Sequence, residues 1–220
     1  MFIGHYGAAL AAKPLARQIP LWLLFVAVQW LDLCWSALVL VGVEKVRIVP
    51  GFTQASSLDL YYMPYTHGLI GALALSAVFG ALALLFVRER RIAVAAVAAG
   101  AVFSHWLLDL VVHMPDLPLL DDTMKVGFGL WRWLWLSLPL ELAVLVAGAV
   151  VYARAVPSKT RFGDWGLWLF VAAMAAVEVY GVFGPQPASP AEEAHTAVAA
   201  YGALALLAGL VDWGRGTLSR

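Results

Sequence analysis

The sequence predicts an all-α membrane protein, a single bundle of about six transmembrane helices. Hydrophobic residues make up 63% of the 220 residues and charged residues 13%, and the mean hydropathy is +0.84, values outside the usual range of soluble domains. Six apolar runs each approach the ~20 residues that cross the ~30 Å hydrocarbon core of a bilayer. Because no period of about 20–50 residues recurs, we expect one domain over residues 1–220.

The six runs lie at residues 20–43, 65–87, 92–114, 130–153, 165–184 and 195–212. Before the last run, Ser189 is expected to be an N-cap, Pro190 the first helical residue and Glu192 the capping-box partner. Residues 2–12 are apolar, rich in small residues and uncharged until Lys13. They predict an N-terminal helix that re-enters the membrane and packs closely against its neighbours.

The charges predict an orientation and exclude one class of partner. Ten of the fourteen Lys and Arg residues belong to the N-terminal arm, the 88–91 and 154–161 loops and the C-terminal tail up to Arg220. The positive-inside rule therefore puts both termini in the cytoplasm. Since the formal net charge is zero and no long basic run is present, the sequence lacks the basic footprint of a nucleic-acid-binding protein. The expected partner is the lipid bilayer.

Three residues of metal-ligand type fall on one stripe of the third run. His105, Asp109 and His113 follow one another at four-residue intervals, and each interval turns only ~40° around an α-helix, so all three face the same side. The rise between the two histidines is ~12 Å in a straight helix, too far for bonds of ~2 Å to one ion unless the helix deforms near Pro115. In this interpretation His105 and Asp109 can share an ion, and His113 would serve a second.

Other ionisable residues stand out because they lie in apolar segments. Asp32 is near the middle of the first run, where an unpaired carboxylate costs at least ~2.5 kcal/mol, so it requires a partner. His67 is expected at the outer end of the second run, and His5 belongs to the re-entrant helix. Glu141 and Glu178 are intramembrane carboxylates, which are either functional or hydrogen-bonded packing residues.

Two further residues have simpler expected roles. Asp116 belongs to the loop after the third run, where solvated turn residues are common. The single cysteine, Cys34, excludes an intrachain disulfide and a cysteine-based metal site. Among apolar neighbours it is expected to act as a small hydrophobic residue.

Four short signatures follow one another in the first half of the chain. His5 lies in GHYGAA, Asp32 in WLDL, His67 in YTHGL, and His105 and Asp109 in SHWLLD. This order resembles that of the YdjM-like family, inner-membrane-associated proteins described as metal-dependent hydrolases. The resemblance covers about residues 1–120 and implies that these five residues form a metal site in a protein of the bacterial inner membrane. The chain departs from the usual family pattern in having Leu before Asp32 and Gly after His67.

The longer order His, Asp, His, His-x-x-x-Asp, His is also similar to that of the helical zinc-dependent phospholipase C and P1-nuclease group. Members of that group hydrolyse phosphoesters with clustered zinc ions. The likeness implies that His113 is a further ligand. It also implies that Glu141 or Glu178 takes the place of the late glutamate of the group as a catalytic residue.

The leading functional hypothesis is a metal-dependent hydrolase. Mixed His and Asp ligation suits a divalent ion, zinc above all, and such an ion activates water and stabilises the oxygens of a phosphoester during displacement. A site between the first spans that opens at the outer leaflet would take a lipid-like, amphipathic substrate.

Two alternatives stay open at this point. One is a haem-binding protein that uses His67 with His105 or His113 as axial ligands. The other is a proton or ion pathway without hydrolytic activity, carried by Asp32, His67, Asp109 and Glu178.

Overall fold

The structure, a computed structural model, describes residues 1–216 except for the side chain of Phe162, so Arg220 lies outside the described residues. The predicted all-α bundle is confirmed. Its helices are α1 (Ile3–Ala12), α2 (Leu21–Val28), α3 (Trp30–Leu40), α4 (Leu69–Ala83), α5 (Arg91–Val112), α6 (Leu134–Ala155), α7 (Arg161–Phe183) and α8 (Pro190–Gly214). A short antiparallel pair of strands, β1 (Lys45–Ile48) and β2 (Leu58–Tyr62), lies between α3 and α4, and the hydropathy pattern did not predict it.

Within residues 1–216 four or five helices are long and apolar enough to span a membrane, and α4 is a further, shorter apolar helix. Helices α5 to α8 are long and apolar enough to cross a membrane, and the bent pair of α2 and α3 passes the same test as one broken span. Helix α4 has 15 residues and extends only ~22 Å, less than the ~30 Å hydrocarbon core. Glu44 accepts hydrogen bonds from the backbone N–H groups of Tyr65 and Thr66. These bonds hold the start of the second apolar run outside α4.

The first predicted run is interrupted at Gln29. Helices α2 and α3 meet there at an angle of 53°, and Gln29 has φ −108° and ψ 9°, away from the helical minimum. The Val28 carbonyl beside the break accepts a hydrogen bond from Nδ1 of His105 in α5 at 2.7 Å. The break also places Asp32 in the first turn of α3. The bend therefore positions two residues of the predicted site.

The predicted N-terminal helix is present as α1 and is buried, and the chain turns at Lys13. Gly7 of α1 and Gly148 of α6 face each other so closely that a Cβ on either one would collide with the opposite backbone. A Cβ on Gly7 would meet the carbonyl of Val144, which lies at the middle of α6. Because α6 is a candidate span, α1 lies at the depth of the spanning helices rather than in a solvated arm.

A buried ion pair anchors the turn after α1, at the end of this helix opposite His5. Lys13 Nζ lies 3.2 Å from Asp212 Oδ2 of α8. The Tyr152 hydroxyl donates to Asp212 Oδ1 at 2.9 Å, and the Leu21 backbone N–H donates to Asp212 Oδ2 at 3.0 Å. The cluster thus connects the end of α1 with α2, α6 and α8.

The predicted start of α8 is confirmed at Pro190. Ser189 Oγ accepts a hydrogen bond from the Glu192 backbone N–H at 3.2 Å, and Glu192 Oε2 accepts one from the Ala188 N–H at 2.9 Å. The first bond satisfies an N–H group that a helix start leaves without a partner, and the second reaches the residue before the N-cap rather than the N-cap itself.

Candidate metal centre

His105 and Asp109 occupy the buried face of α5, as their spacing predicts. His105 Nε2 lies 3.0 Å from Asp109 Oδ2. His113 follows Val112, the last helical residue, in an extended conformation, and its Nε2 lies 3.5 Å from the same Asp109 oxygen. The expected separation of ~12 Å assumed a straight helix, and that assumption is wrong because α5 ends at Val112. The reason for giving His113 an ion of its own therefore no longer holds.

Asp32 and His67 reach the same cluster from α3 and from the segment before α4. His67 Nε2 lies 3.2 Å from Asp32 Oδ1 and 3.7 Å from Asp109 Oδ2. His105 Nε2 lies 3.5 Å from Asp32 Oδ1. The hydroxyl of Tyr201 in α8 donates to Asp32 Oδ2 at 2.8 Å, which gives Asp32 the partner that its position requires. Tyr201 carries no signal in the sequence, because one aromatic residue in an apolar run is unremarkable.

Helix α1 brings His5 to the cluster. The side chain is fully buried, and its ring stacks on that of His105 with centroids 3.8 Å apart. His5 Nε2 lies 3.2 Å from Asp109 Oδ1, and the Met1 amino group lies 2.7 Å from the same oxygen. The six residues predicted as ligands therefore converge on one place. Asp109 is at its centre, with Oδ1 facing His5 and Oδ2 facing His67, His105 and His113.

Two of the histidines direct Nδ1 at acceptors outside the cluster. His105 Nδ1 lies 2.7 Å from the Val28 carbonyl, which only accepts, so this nitrogen carries a proton. His113 Nδ1 lies 2.9 Å from Asp116 Oδ1, and a carboxylate likewise only accepts. In each neutral ring Nε2 is then an unprotonated acceptor that faces Asp109. Asp116, expected to be a solvated turn residue, instead orients His113.

Two groups of three side chains are close enough to share an ion. They are His5 with His105 and Asp109, and Asp32 with His67 and His105, and the ligand atoms in each group lie within 4.8 Å of one another. Neighbouring ligands at ~2.1 Å from one ion lie about 3.0–3.4 Å apart, close to the distances of 3.0 and 3.2 Å measured here. His105 belongs to both groups, and the single lone pair of its Nε2 can bind only one ion. The ligand distances fit a divalent cation.

The two candidate catalytic glutamates have different surroundings. Glu141 Oε2 accepts hydrogen bonds from the backbone N–H groups of Phe2 at 2.7 Å and Gly4 at 3.4 Å. It thus holds the N-terminal end of α1, where a carboxylate is favoured. Glu178 is 7% exposed, and its Oε2 has no hydrogen-bond partner in the described part of the chain. Of the two, Glu178 keeps an uncommitted buried oxygen.

A cavity of about 500 Å³ lies beside the cluster. Its wall includes Asp32, His67, Asp109, His113, Glu141, Glu178, Trp35, Trp131 and Tyr201. Residues 55–57 before β2 and 185–187 between α7 and α8 form another part of the wall, on the side that the charge distribution predicts to be outside. None of the lining side chains that the structure describes belongs to Lys or Arg. The wall also includes Met1, whose amino group lies 2.7 Å from Asp109 Oδ1 and offsets part of the acidic charge. The remaining carboxylates favour a bound cation.

Known proteins give no independent guide to this site, since no family model, curated protein or solved structure matches the chain. The likeness to the YdjM-like family and to the phospholipase group stays a prediction. The protein is a helical bundle with membrane-spanning helices and a buried His and Asp cluster that can hold a metal ion.

Proposed function

We propose that the protein is a membrane-embedded hydrolase whose activity depends on a divalent metal ion, zinc in the first place, held by the His and Asp cluster. The observation that carries this proposal is the distance of 3.0 Å between His105 Nε2 and Asp109 Oδ2. Because the His105 Nδ1 proton is donated to Val28, both facing atoms are acceptors when the ring is neutral. Two acceptors at this distance repel each other, so the pair needs a positive charge between them, which either a proton on His105 Nε2 or a metal ion supplies.

Zinc suits this donor set. It takes imidazole nitrogens and carboxylate oxygens at about 2.0–2.2 Å. Metal-binding histidines also usually donate the other ring N–H to a carbonyl or carboxylate, as His105 and His113 do. When bound, the ion supplies water activation and charge stabilisation for a phosphoester displacement.

The surrounding residues then have distinct roles. Asp32, His67, His105 and Asp109 hold the ion, with His5 and His113 as the additional ligands. Glu178 would accept a proton from the attacking water through its uncommitted oxygen. A general base needs a free lone pair within hydrogen-bond reach of the proton that it removes. Glu141 keeps α1 in place, because its carboxylate is already engaged by Phe2 and Gly4.

The cavity supports an amphipathic substrate. Carboxylates and the ligand histidines form one part of its wall, whereas Trp35, Trp131 and apolar side chains form another. Since no Lys or Arg side chain is among the described lining residues, the negative charge of a phosphoester would be offset by the metal ion together with the Met1 amino group, which also lines the cavity. The loops that complete the wall lie on the predicted outer side, which favours a lipid head group from the outer leaflet.

The carboxylates argue against the haem alternative. The rings of His67 and His105 have centroids 5.4 Å apart, and Asp32 Oδ1 lies 3.2 and 3.5 Å from their Nε2 atoms. A porphyrin bound between two axial histidines needs that space for its own ring. A proton pathway through the same residues would need exchangeable protons on the side chains that bind the metal ion in the proposed hydrolase. The metal content of the purified protein distinguishes these two functions.

The test is a cleavage assay on the full chain. Metal-free protein in mixed micelles of detergent and a short-chain glycerophospholipid is assayed for release of the phosphorylated head group, before and after addition of zinc or manganese. We expect metal-dependent release that Asp109→Asn abolishes and Glu178→Gln reduces, with exposed Asp121→Asn as the matched control. Release that needs no metal, or that Asp109→Asn leaves unchanged, would contradict the proposal.

A further inference from the structure

The hydrogen bonds of His67 lead to a buried carboxylate in the loop between α3 and β1. His67 Nδ1 lies 2.9 Å from Thr66 Oγ1, and Thr66 Oγ1 donates to Glu44 Oε2 at 2.6 Å. Glu44 Oε1 also accepts from the backbone N–H groups of Tyr65 at 2.8 Å and Thr66 at 2.9 Å. Glu44, Thr66 and His67 are 1%, 1% and 3% exposed, so water does not compete for these bonds.

The hydrogen-bond roles of Glu44 and Thr66 determine which ring nitrogen of His67 carries a proton. A threonine hydroxyl has one proton to donate, and Thr66 donates it to Glu44, which accepts three hydrogen bonds and acts as a carboxylate. The oxygen of Thr66 can then only accept from His67, so His67 Nδ1 carries a proton. In the neutral ring the lone pair is on Nε2, which lies 3.2 Å from Asp32 Oδ1.

We propose that Glu44 is a positioning residue that acts through Thr66 to keep the proton of His67 on Nδ1 and so presents the Nε2 lone pair to the metal centre. This inference rests on the proposed function, because Nε2 is the atom that would bind the ion. The backbone is held independently: Trp106 Nε1 donates to the His67 carbonyl at 2.9 Å, and the Glu44 N–H donates to the Leu38 carbonyl at 3.2 Å.

The isosteric substitution Glu44→Gln would exchange the donor and acceptor roles along these hydrogen bonds. In Glu44→Gln the amide oxygen can still accept from the backbone N–H groups of Tyr65 and Thr66, but the amide NH₂ now donates to Thr66 Oγ1. The hydroxyl of Thr66 must then donate to His67 Nδ1, which moves the proton of the neutral ring to Nε2. That proton can be donated to Asp32, so the metal-free fold keeps a satisfied hydrogen bond while the metal loses a ligand.

The experiment compares zinc affinity and histidine protonation in the full-length wild type, Glu44→Gln, Thr66→Val and Thr66→Ser, with exposed Glu89→Gln as the matched control. Zinc affinity is measured by competition with a chelator. Protonation of His67 is read from histidine ¹⁵N chemical shifts of metal-free protein, with the His67 signal assigned by its loss in His67→Asn.

We expect Glu44→Gln and Thr66→Val to weaken zinc binding about 10–100-fold, the usual effect of losing an outer partner of a metal-binding histidine. Thr66→Ser and Glu89→Gln should match the wild type, and Glu44→Gln should unfold at or above the wild-type temperature when metal-free. His67 Nδ1 should be protonated in the wild type and unprotonated in Glu44→Gln. Equal zinc affinities, or an unchanged Nδ1 signal, would overturn the inference.

Different results would contradict the proposed function and the positioning role of Glu44. A wild type that binds no zinc would remove the proposed function, yet the ¹⁵N shifts would still decide whether Glu44 controls the proton of His67. A lower thermal stability of metal-free Glu44→Gln and weaker zinc binding, with the Nδ1 signal of His67 unchanged, would show that Glu44 is a structural residue only and would overturn its positioning role.

Discussion

The imidazole rings of His5 and His105 stack with centroids 3.8 Å apart and planes 6° apart. The first ring belongs to the N-terminal helix and the second to α5, so α1 forms a wall of the candidate site. Two positively charged rings at this distance would repel strongly in a buried setting, and at least one of the pair is therefore neutral. A neutral imidazole is the form that binds metal ions.

Replacing His105 should remove the metal and leave the fold in place. His105 belongs to both groups of potential ligands, and losing even an outer partner of a ligand costs about 10–100-fold in affinity. We therefore expect His105→Ala to weaken zinc binding by more than about 100-fold, measured by chelator competition on purified protein. His195→Ala, at an exposed histidine of α8, is the control. Equal zinc affinity in both variants would remove His105 from the site.

The accessibility of position 5 tests the placement of α1. In a Cys34→Ser background, a cysteine that replaces His5 should react slowly with a water-soluble thiol reagent added from the cytoplasmic side, because position 5 is fully buried. A cysteine that replaces Gln18, exposed in the loop after α1, should react rapidly under the same conditions. Rapid labelling at position 5 as well would place α1 outside the bundle.

The sequence spacing of His105 and Asp109 predicted that they share one helix face, because an α-helix repeats every 3.6 residues. The position of His113 could not be predicted from spacing, since it depends on where α5 ends. The hydrogen bond from Tyr201 to Asp32 could not be predicted either, because it joins α8 to α3, which are far apart in the sequence. The sequence thus predicted a set of side chains that the fold brings together, and it predicted most of the helices. It missed the groups that orient those side chains, such as Glu44, because tertiary contacts create them.

The ion pair of Lys13 and Asp212 should stabilise the bundle. Removing one partner of a buried pair typically costs about 3–5 kcal/mol, because the other charge stays buried. Lys13→Met should therefore lower the thermal unfolding temperature in detergent. Adding Asp212→Asn to Lys13→Met should restore part of the loss. An unfolding temperature of Lys13→Met equal to that of the wild type would show that the pair contributes nothing to stability.

The orientation in the membrane is a separate prediction. The distribution of Lys and Arg puts both termini in the cytoplasm, which requires the shorter helix α4 to cross as the sixth span. A reporter enzyme fused after Arg220 should then be active only in its cytoplasmic form. The same reporter inserted after Asp121, in the exposed loop between α5 and α6, should be active only in its external form. The reverse pattern would put the cavity at the inner leaflet and change the lipids that can reach it.

The metal content of the wild-type protein tests the central claim most directly. Full-length protein purified without chelators is analysed by inductively coupled plasma mass spectrometry, its visible spectrum is recorded, and metal-free protein is titrated with zinc. We predict at least one divalent metal ion per chain, no Soret band, and loss of the metal in Asp109→Asn. Protein that carries no stoichiometric metal and takes up no zinc on titration, or that shows a Soret band, would contradict the account.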